Sequence, residues 1–177
     1  MSKYNQGFHR ISNEEYHSDK SILSSSGIKY LLQSPAHFKV YAEAGSKETT
    51  ALSFGTAFHT AVFEADRFNE TVVTMPKIDR RTKVGKAAYA EFMDSVAGKT
   101  IISEAEIETI KCMKDSIFNH PEASKIIEYE DGVAELSGFW KDERGFMCKI
   151  RPDWLPGHGL CVDLKSTENA SELAFSK

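Results

Sequence analysis

The stretch Arg151-Pro152-Asp153-Trp154-Leu155-Pro156-Gly157-His158-Gly159-Leu160-Cys161-Val162-Asp163-Leu164-Lys165 decides how the rest of the chain is read. Pro156 to Gly159 is turn chemistry between two apolar runs. Beyond it, Leu160 to Lys165 reads as a strand, and side chains alternate faces along a strand. That strand would turn Cys161, Asp163 and Lys165 to one side and Leu160, Val162 and Leu164 to the other. Asp153 stands at the end of the neighbouring strand, where a hairpin-like return would set it beside Asp163. Two carboxylates held this way suit a hard divalent cation that keeps several waters, as magnesium does. A lysine next to them can orient or deprotonate a metal-bound water and balance charge on a phosphate. Alone, an Asp-x-Lys strand is more often a solvated face with a cross-strand ion pair.

Upstream, Phe146 to Arg151 reads as a second strand and Gly132 to Trp140 as a first, joined by a turn at Asp142-Glu143-Arg144-Gly145. Glu135 falls on that first strand. The three strands together predict a meander.

Helical signals fill the chain before it. From Ser21 to Ala44, serine caps precede an apolar series, Ser34-Pro35 breaks and restarts the helix, and Gly45 ends it. Leu52 to Glu64 is apolar around most of its circumference, which predicts a buried helix. It contains Gly55 one turn before His59. A glycine there costs roughly 1 kcal/mol relative to alanine, which predicts close packing against that turn. A lone histidine on such a helix is more often a hydrogen-bonded core residue than a ligand. Pro76 to Lys86 carries Lys77, Arg80, Arg81, Lys83 and Lys86 against Asp79 and leads into a helix from Lys86 to Val96, closed by Gly98. This is the segment suited to a phosphate backbone, although a solvated loop explains it nearly as well. Ser103 with Glu106 forms a capping-box pattern ahead of Ile107, Ile110, Met113, Ile117 and Phe118. Pro121 stops that helix and a short one follows from Glu122 to Ile127. His37, His120 and His158 read as structural.

The chain has 177 residues, 41% hydrophobic and 27% charged, with a net charge of -4. That balance suits one globular domain. Its expected divisions are an arm at 1–20, a mainly helical part at 21–130, the β-meander with the site at 131–165, and a tail at 166–177. No apolar run is long enough for a membrane span, and the first ten residues lack the apolar stretch of a signal peptide. A cytoplasmic protein with no membrane partner is expected. The three cysteines, Cys112, Cys148 and Cys161, have no CxxC spacing, which argues against a disulfide framework or structural zinc and predicts reduced, mostly buried thiols. The negative charge neither favours nor excludes DNA, because catalytic carboxylates stay negative until metal neutralises them.

Arg151-Pro152-Asp153 followed by Asp163-Leu164-Lys165 is similar to the PD-(D/E)xK nuclease signature. Gly55-Thr56-Ala57-Phe58-His59 resembles the GxxxH element of its RecB-like branch. Ser34-Pro35-Ala36-His37-Phe38, Asp79-Arg80-Arg81-Thr82-Lys83 and Gly138-Phe139-Trp140 resemble the exonuclease VIII (RecE-type) group of phages and prophages. The resemblance implies an α+β (mixed α/β) protein with a restriction-endonuclease-like core. N-terminal helices would pack on the three-strand meander, and the sequence would stop before the last core helix. Asp153 and Asp163 would chelate Mg2+ or Mn2+, Lys165 would activate the attacking water, and His59 would add a metal ligand. Glu135 would be a supporting acid, and no iron–sulfur cluster is expected. The implied activity is 5′ to 3′ exonuclease action on duplex DNA ends in phage-type recombination, in the cytoplasm of a bacterial or phage-infected cell. A single-strand annealing protein and a ring-like homo-oligomer are the implied partners. RecB-like nucleases carry a QxxxY helix beyond the Asp-x-Lys strand, and none follows Lys165 here. A non-catalytic fragment that binds DNA or a partner is therefore the alternative, and a site-specific endonuclease the third.

Overall fold

Side-chain oxygens start the helices. Ser12, Ser24, Ser34, Thr49, Thr82 and Ser103 each accept a hydrogen bond from a first-turn backbone N–H that would otherwise have no partner. The computed structural model describes residues 3–44, 49–128, 131–157 and 159–176. The expected stop at Gly45 and the structural role expected of His158 lie outside these residues. The elements run β1 (Gly7–His9), α1 (Asn13–Ser18), α2 (Ser25–Gln33), α3 (Pro35–Glu43), α4 (Thr50–Phe63), α5 (Ala65–Thr71), β2 (Val72–Thr74), α6 (Lys83–Ser95), β3 (Thr100–Ile102), α7 (Glu104–Phe118), α8 (Pro121–Ile127), β4 (Val133–Ala134), β5 (Ser137–Lys141), β6 (Met147–Ile150), β7 (Trp154–Leu155) and α9 (Glu172–Phe175). The protein is mixed α+β, as the sequence implies. No helix among the described residues is long and apolar enough to cross a membrane.

The chain divides into two units, residues 1–47 with 127–163, and residues 48–126 with 164–177. In the first, an antiparallel sheet has the order β1-β5-β6, and β4 pairs with β7 in a second, two-stranded sheet. The outer edge of β6 is met by Leu23, whose N–H donates to the Met147 carbonyl at 3.0 Å and whose carbonyl accepts from the Lys149 N–H at 2.8 Å. Tyr16, Ile22 and Phe139 form the buried core, with Tyr4, Ile11 and Met147 packed against them. Tyr4 stacks on Phe139 with ring centroids 4.3 Å apart. Residues expected as an N-terminal arm therefore supply a strand, a helix and much of this core.

The second unit is built on α4. Its Ala57, Phe58, Ala61 and Val62 are buried, and it packs against β3 and α7. Val72, Val96, Ile102 and Ile110 complete the buried set. β2 and β3 pair in parallel, Val73 opposite Ile101. The capping box of Ser103 and Glu106 forms as expected. α6 starts three residues before the expected Lys86, because Thr82 caps it and its hydroxyl accepts from the Gly85 N–H at 2.9 Å. Glycine is required at 85, since a Cβ there would lie 2.0 Å from the Asp79 carbonyl oxygen.

Several expectations give way. The third strand, Leu160 to Lys165, does not form, and only an isolated bridge joins Val162 to Trp154. Exposure still alternates there: Cys161, Asp163 and Lys165 are exposed while Val162 and Leu164 are half-buried. The first strand splits into β4 and β5, which join different sheets, so the three-strand meander is not what the chain builds. Gly55 is not a close-packing position, because a Cβ added there meets nothing within 4 Å among the described residues. The thiols are not mostly buried: Cys148 is, but Cys112 and Cys161 are exposed.

Candidate metal centre

β6 ends at Ile150, and Pro152 has no N–H with which to extend its ladder. The chain then enters β7, whose Trp154 lies opposite Ala134 of β4. Continuing that register by one residue sets Glu135 across from Asp153, and the Glu135 N–H donates to the Asp153 carbonyl at 3.2 Å. On its other side Trp154 exchanges both backbone hydrogen bonds with Val162, at 3.2 and 2.9 Å. One further step in this second register sets Asp163 across from Asp153. Positions next to a doubly bonded antiparallel pair are those where facing side chains come closest. Asp153 is thus next in register to Glu135 on one side, and on the other it stands one step from the Trp154–Val162 bridge, on the side of Asp163.

Glu135 and Asp153 present carboxylate oxygens within 4.8 Å of each other. That is comparable to the span of two ligands on one small cation, each about 2.1 Å from it. Asp153 is buried at 7% exposure, Glu135 is half-buried and Asp163 exposed. Glu135 has φ of 51°, the left-handed region, and no other described non-glycine residue shares it. Such a conformation costs on the order of 1 kcal/mol. This kink divides β4 from β5, and it is why Glu135 does not sit in a continuous strand as expected.

Arg151 holds the kink. Its Nε lies 2.9 Å from a Glu135 carboxylate oxygen and donates to the Glu135 carbonyl at 3.0 Å. Its terminal nitrogens donate to the carbonyls of Ser12 at 3.1 Å and Ile11 at 2.6 Å. Two residues earlier, Lys149 is buried at 5% exposure, with its Nζ donating to the carbonyls of Tyr16 at 2.6 Å and Asp19 at 2.5 Å. Both cations lie over the Tyr16 ring, at 4.7 Å for Lys149 and 5.2 Å for Arg151. Burial pushes the Lys149 ammonium below its ordinary range, the Asp19 charge opposing. Burial likewise pushes the Tyr16 phenol up to about 12. None of Lys149, Arg151 and Tyr16 was singled out as functional from sequence. The available signal was that 149, 151 and 153 fall at every second position, the spacing of one strand face.

In the second unit, His59 lies on the third turn of α4 and its Nε2 donates to the Leu164 carbonyl at 2.7 Å. A neutral ring bonded in that way carries its lone pair on Nδ1, the arrangement in which one nitrogen is oriented by a carbonyl while the other is a ligand. Phe63 meets the ring edge-on, 6.3 Å between centroids. Lys165 is exposed. The basic segment is ordered by its own pairings: Lys77 with Glu104 at 3.0 Å, Arg81 with Asp79 at 2.9 Å, and Arg80 over the Tyr89 ring at 4.7 Å. Lys83 and Lys86 stand exposed on the first turns of α6. Of the histidines read as structural, two lie among the described residues: His37 pairs with the Ser34 hydroxyl at 2.8 Å, and His120 Nδ1 accepts from the N–H groups of Glu122 and Ala123 at the start of α8.

The donor set of the first unit is all oxygen, which suits a hard divalent cation. Residues 24–177 match a family described as a PDDEXK-like domain of unknown function (DUF3799). No curated protein matches the chain.

Proposed function

The chain belongs to that PDDEXK-like family, and from this membership we propose that it is a divalent-metal-dependent nuclease that digests duplex DNA from its ends, 5′ to 3′. One observation carries the reading: the register that flanks Asp153 with Glu135 and Asp163. The resemblance of Gly55 to His59 and of Asp163-Leu164-Lys165 to RecB-like elements supports it further.

In this reading Asp153 and Asp163 hold the ion, with Glu135 as the supporting acid and His59 as the nitrogen ligand. Mg2+ or Mn2+ bound there would polarise the scissile phosphate and lower the pKa of water. Lys165 aligns the attacking water opposite the 3′-oxygen and places its ammonium beside the phosphate, where charge develops. Attack breaks the P–O3′ bond and leaves a 5′-phosphate on the shortened strand. Lys83 and Lys86, with Lys77, Arg80 and Arg81, supply backbone contacts whose strength falls as salt rises. A ring-like homo-oligomer and a single-strand annealing partner belong to the same proposal.

Digestion of linear duplex labelled at either end, with Mg2+ or Mn2+, tests this. Wild type shortens the strand from its 5′ end and spares closed circles. Asp163→Ala abolishes digestion, and Lys165→Ala slows it by at least about 100-fold. Equal rates in all three proteins would end the proposal. Tight binding without digestion would favour a DNA-binding module, and cutting of closed circles an endonuclease.

A further inference from the structure

The family match begins at residue 24, yet the strand that delivers Asp153 is anchored on residues before it. Lys149 and Arg151 precede Asp153 at two-residue steps, and both cations are nearly out of water: the Arg151 side chain is 9% exposed and Lys149 is 5% exposed. A buried cation is costly unless its donors are satisfied. Here four acceptors come from one short segment, the carbonyls of Ile11, Ser12, Tyr16 and Asp19. The ring of Tyr16, itself a core residue, receives both charges on its face. Arg151 bridges this segment to the acids, because the same guanidinium pairs with the Glu135 carboxylate and fixes the Glu135 carbonyl. It thereby holds the one described non-glycine residue in the left-handed region, next to the buried Asp153.

We propose that Arg151 and Lys149 are positioning residues: with the segment Ile11–Asp19 they fix the backbone at Glu135 and Asp153 so that both carboxylates are aimed before a cation arrives. The segment before residue 24 is then part of the metal centre's support. Preorganisation of this kind governs how tightly an ion is held, because outer partners that orient ligating carboxylates typically change metal affinity by about 10- to 100-fold. The inference rests on the metal site proposed above.

Mn2+ binding to the full chain, followed by the EPR signal of the free ion well below the unfolding temperature of each variant, separates the two claims. Asp153→Asn is the control for the site. If it binds Mn2+ as wild type does, the site reading fails and the inference with it. With that control weakened, Arg151→Gln is expected to raise the Mn2+ dissociation constant by about 10-fold. Arg151→Lys, which keeps the charge and loses the fork, is expected to fall between them. Lys149→Met keeps the apolar stem, leaves Glu135 untouched and is the second variant should Arg151→Gln fail to fold. It is expected to weaken Mn2+ binding by several-fold. Wild-type Mn2+ affinity in Arg151→Lys and Lys149→Met, whatever their melting temperatures, would overturn the proposal while leaving the metal site standing.

Discussion

Around Asp153, side-chain groups find their partners far along the chain: Arg151 on Ile11 and Ser12, Lys149 on Tyr16 and Asp19. α4, α6 and α7 in the second unit are started by local chemistry instead, each cap bonding a backbone N–H within a few residues. The difference is visible at two glycines. Gly132 is pressed against the Trp154 ring, where an added Cβ would lie 1.8 Å from a ring carbon, whereas at Gly55 a Cβ meets nothing within 4 Å among the described residues. The same substitution at the two positions therefore has opposite consequences. It teaches that the acid-bearing region is close-packed on its glycine, whereas α4 packs through Ala57, Phe58, Ala61 and Val62 and leaves its glycine open.

The largest effect is expected at the first of these. Gly132→Ala forces the Trp154 ring out of place, and overpacking of this kind costs about 1–3 kcal/mol. For a chain of this length that is a fall in Tm of roughly 2–12 °C, measurable by calorimetry. Trp154 carries the two registers that bring Glu135 and Asp163 to Asp153, so metal-dependent digestion should fall as well. An unchanged Tm would show that the ring has room to yield, and the contrast between the two regions would be lost.

This contrast also sets what the sequence alone discloses. The capping box at Ser103, the restart at Ser34-Pro35 and the buried face of Leu52 to Glu64 are written in neighbouring residues, and they appear where expected. The return of the chain that bridges Trp154 to Val162 was legible because only a short turn separates them. The break at Glu135 was not, since nothing in Gly132 to Trp140 announces that Arg151 will hold residue 135 in the left-handed region. Leu160 to Lys165 has strand alternation, but beyond Val162 no described ladder receives it, so the pattern survives only as alternating exposure. β2 and β3 are three residues each, too short for a periodicity, and their parallel pairing joins segments well apart in the chain. The clamp of Lys149 and Arg151 on residues before 20 is invisible from sequence for the same reason: its acceptors are backbone carbonyls, which every residue has.

A smaller effect tests whether that clamp is closed in solution. Burial raises the Tyr16 phenol to about 12 while the Arg151 charge opposes the shift, and in the unfolded chain it ionises near 10. Between about pH 10 and 12 the unfolded state alone has released the proton, so stability is fully present below pH 10 and lost as pH rises toward the folded value. Tyr16→Phe removes this linkage. Its Tm should decline less between about pH 9 and 11 than that of wild type, with both followed by circular dichroism. Parallel declines would mean that the phenol of Tyr16, the ring on which the clamp rests, is not withdrawn from water in solution.

The smallest effect has the opposite sign and belongs to α4. Gly55 lies within the helix, and a Cβ there meets nothing within 4 Å among the described residues, so Gly55→Ala should stabilise the protein by up to about 1 kcal/mol through helix propensity and reduced freedom of the unfolded chain. Thermal unfolding reads this directly. A loss of stability instead would mean that the space beside Gly55 is filled in solution, and the comparison with Gly132 would narrow to a difference of degree. Measuring digestion on the same variant sharpens the result. Gly55 is one turn before His59, so a methyl group that improves folding and slows DNA hydrolysis would place this turn of α4 near the reaction rather than in the packing. Gain in both would show that the glycine serves neither packing nor catalysis.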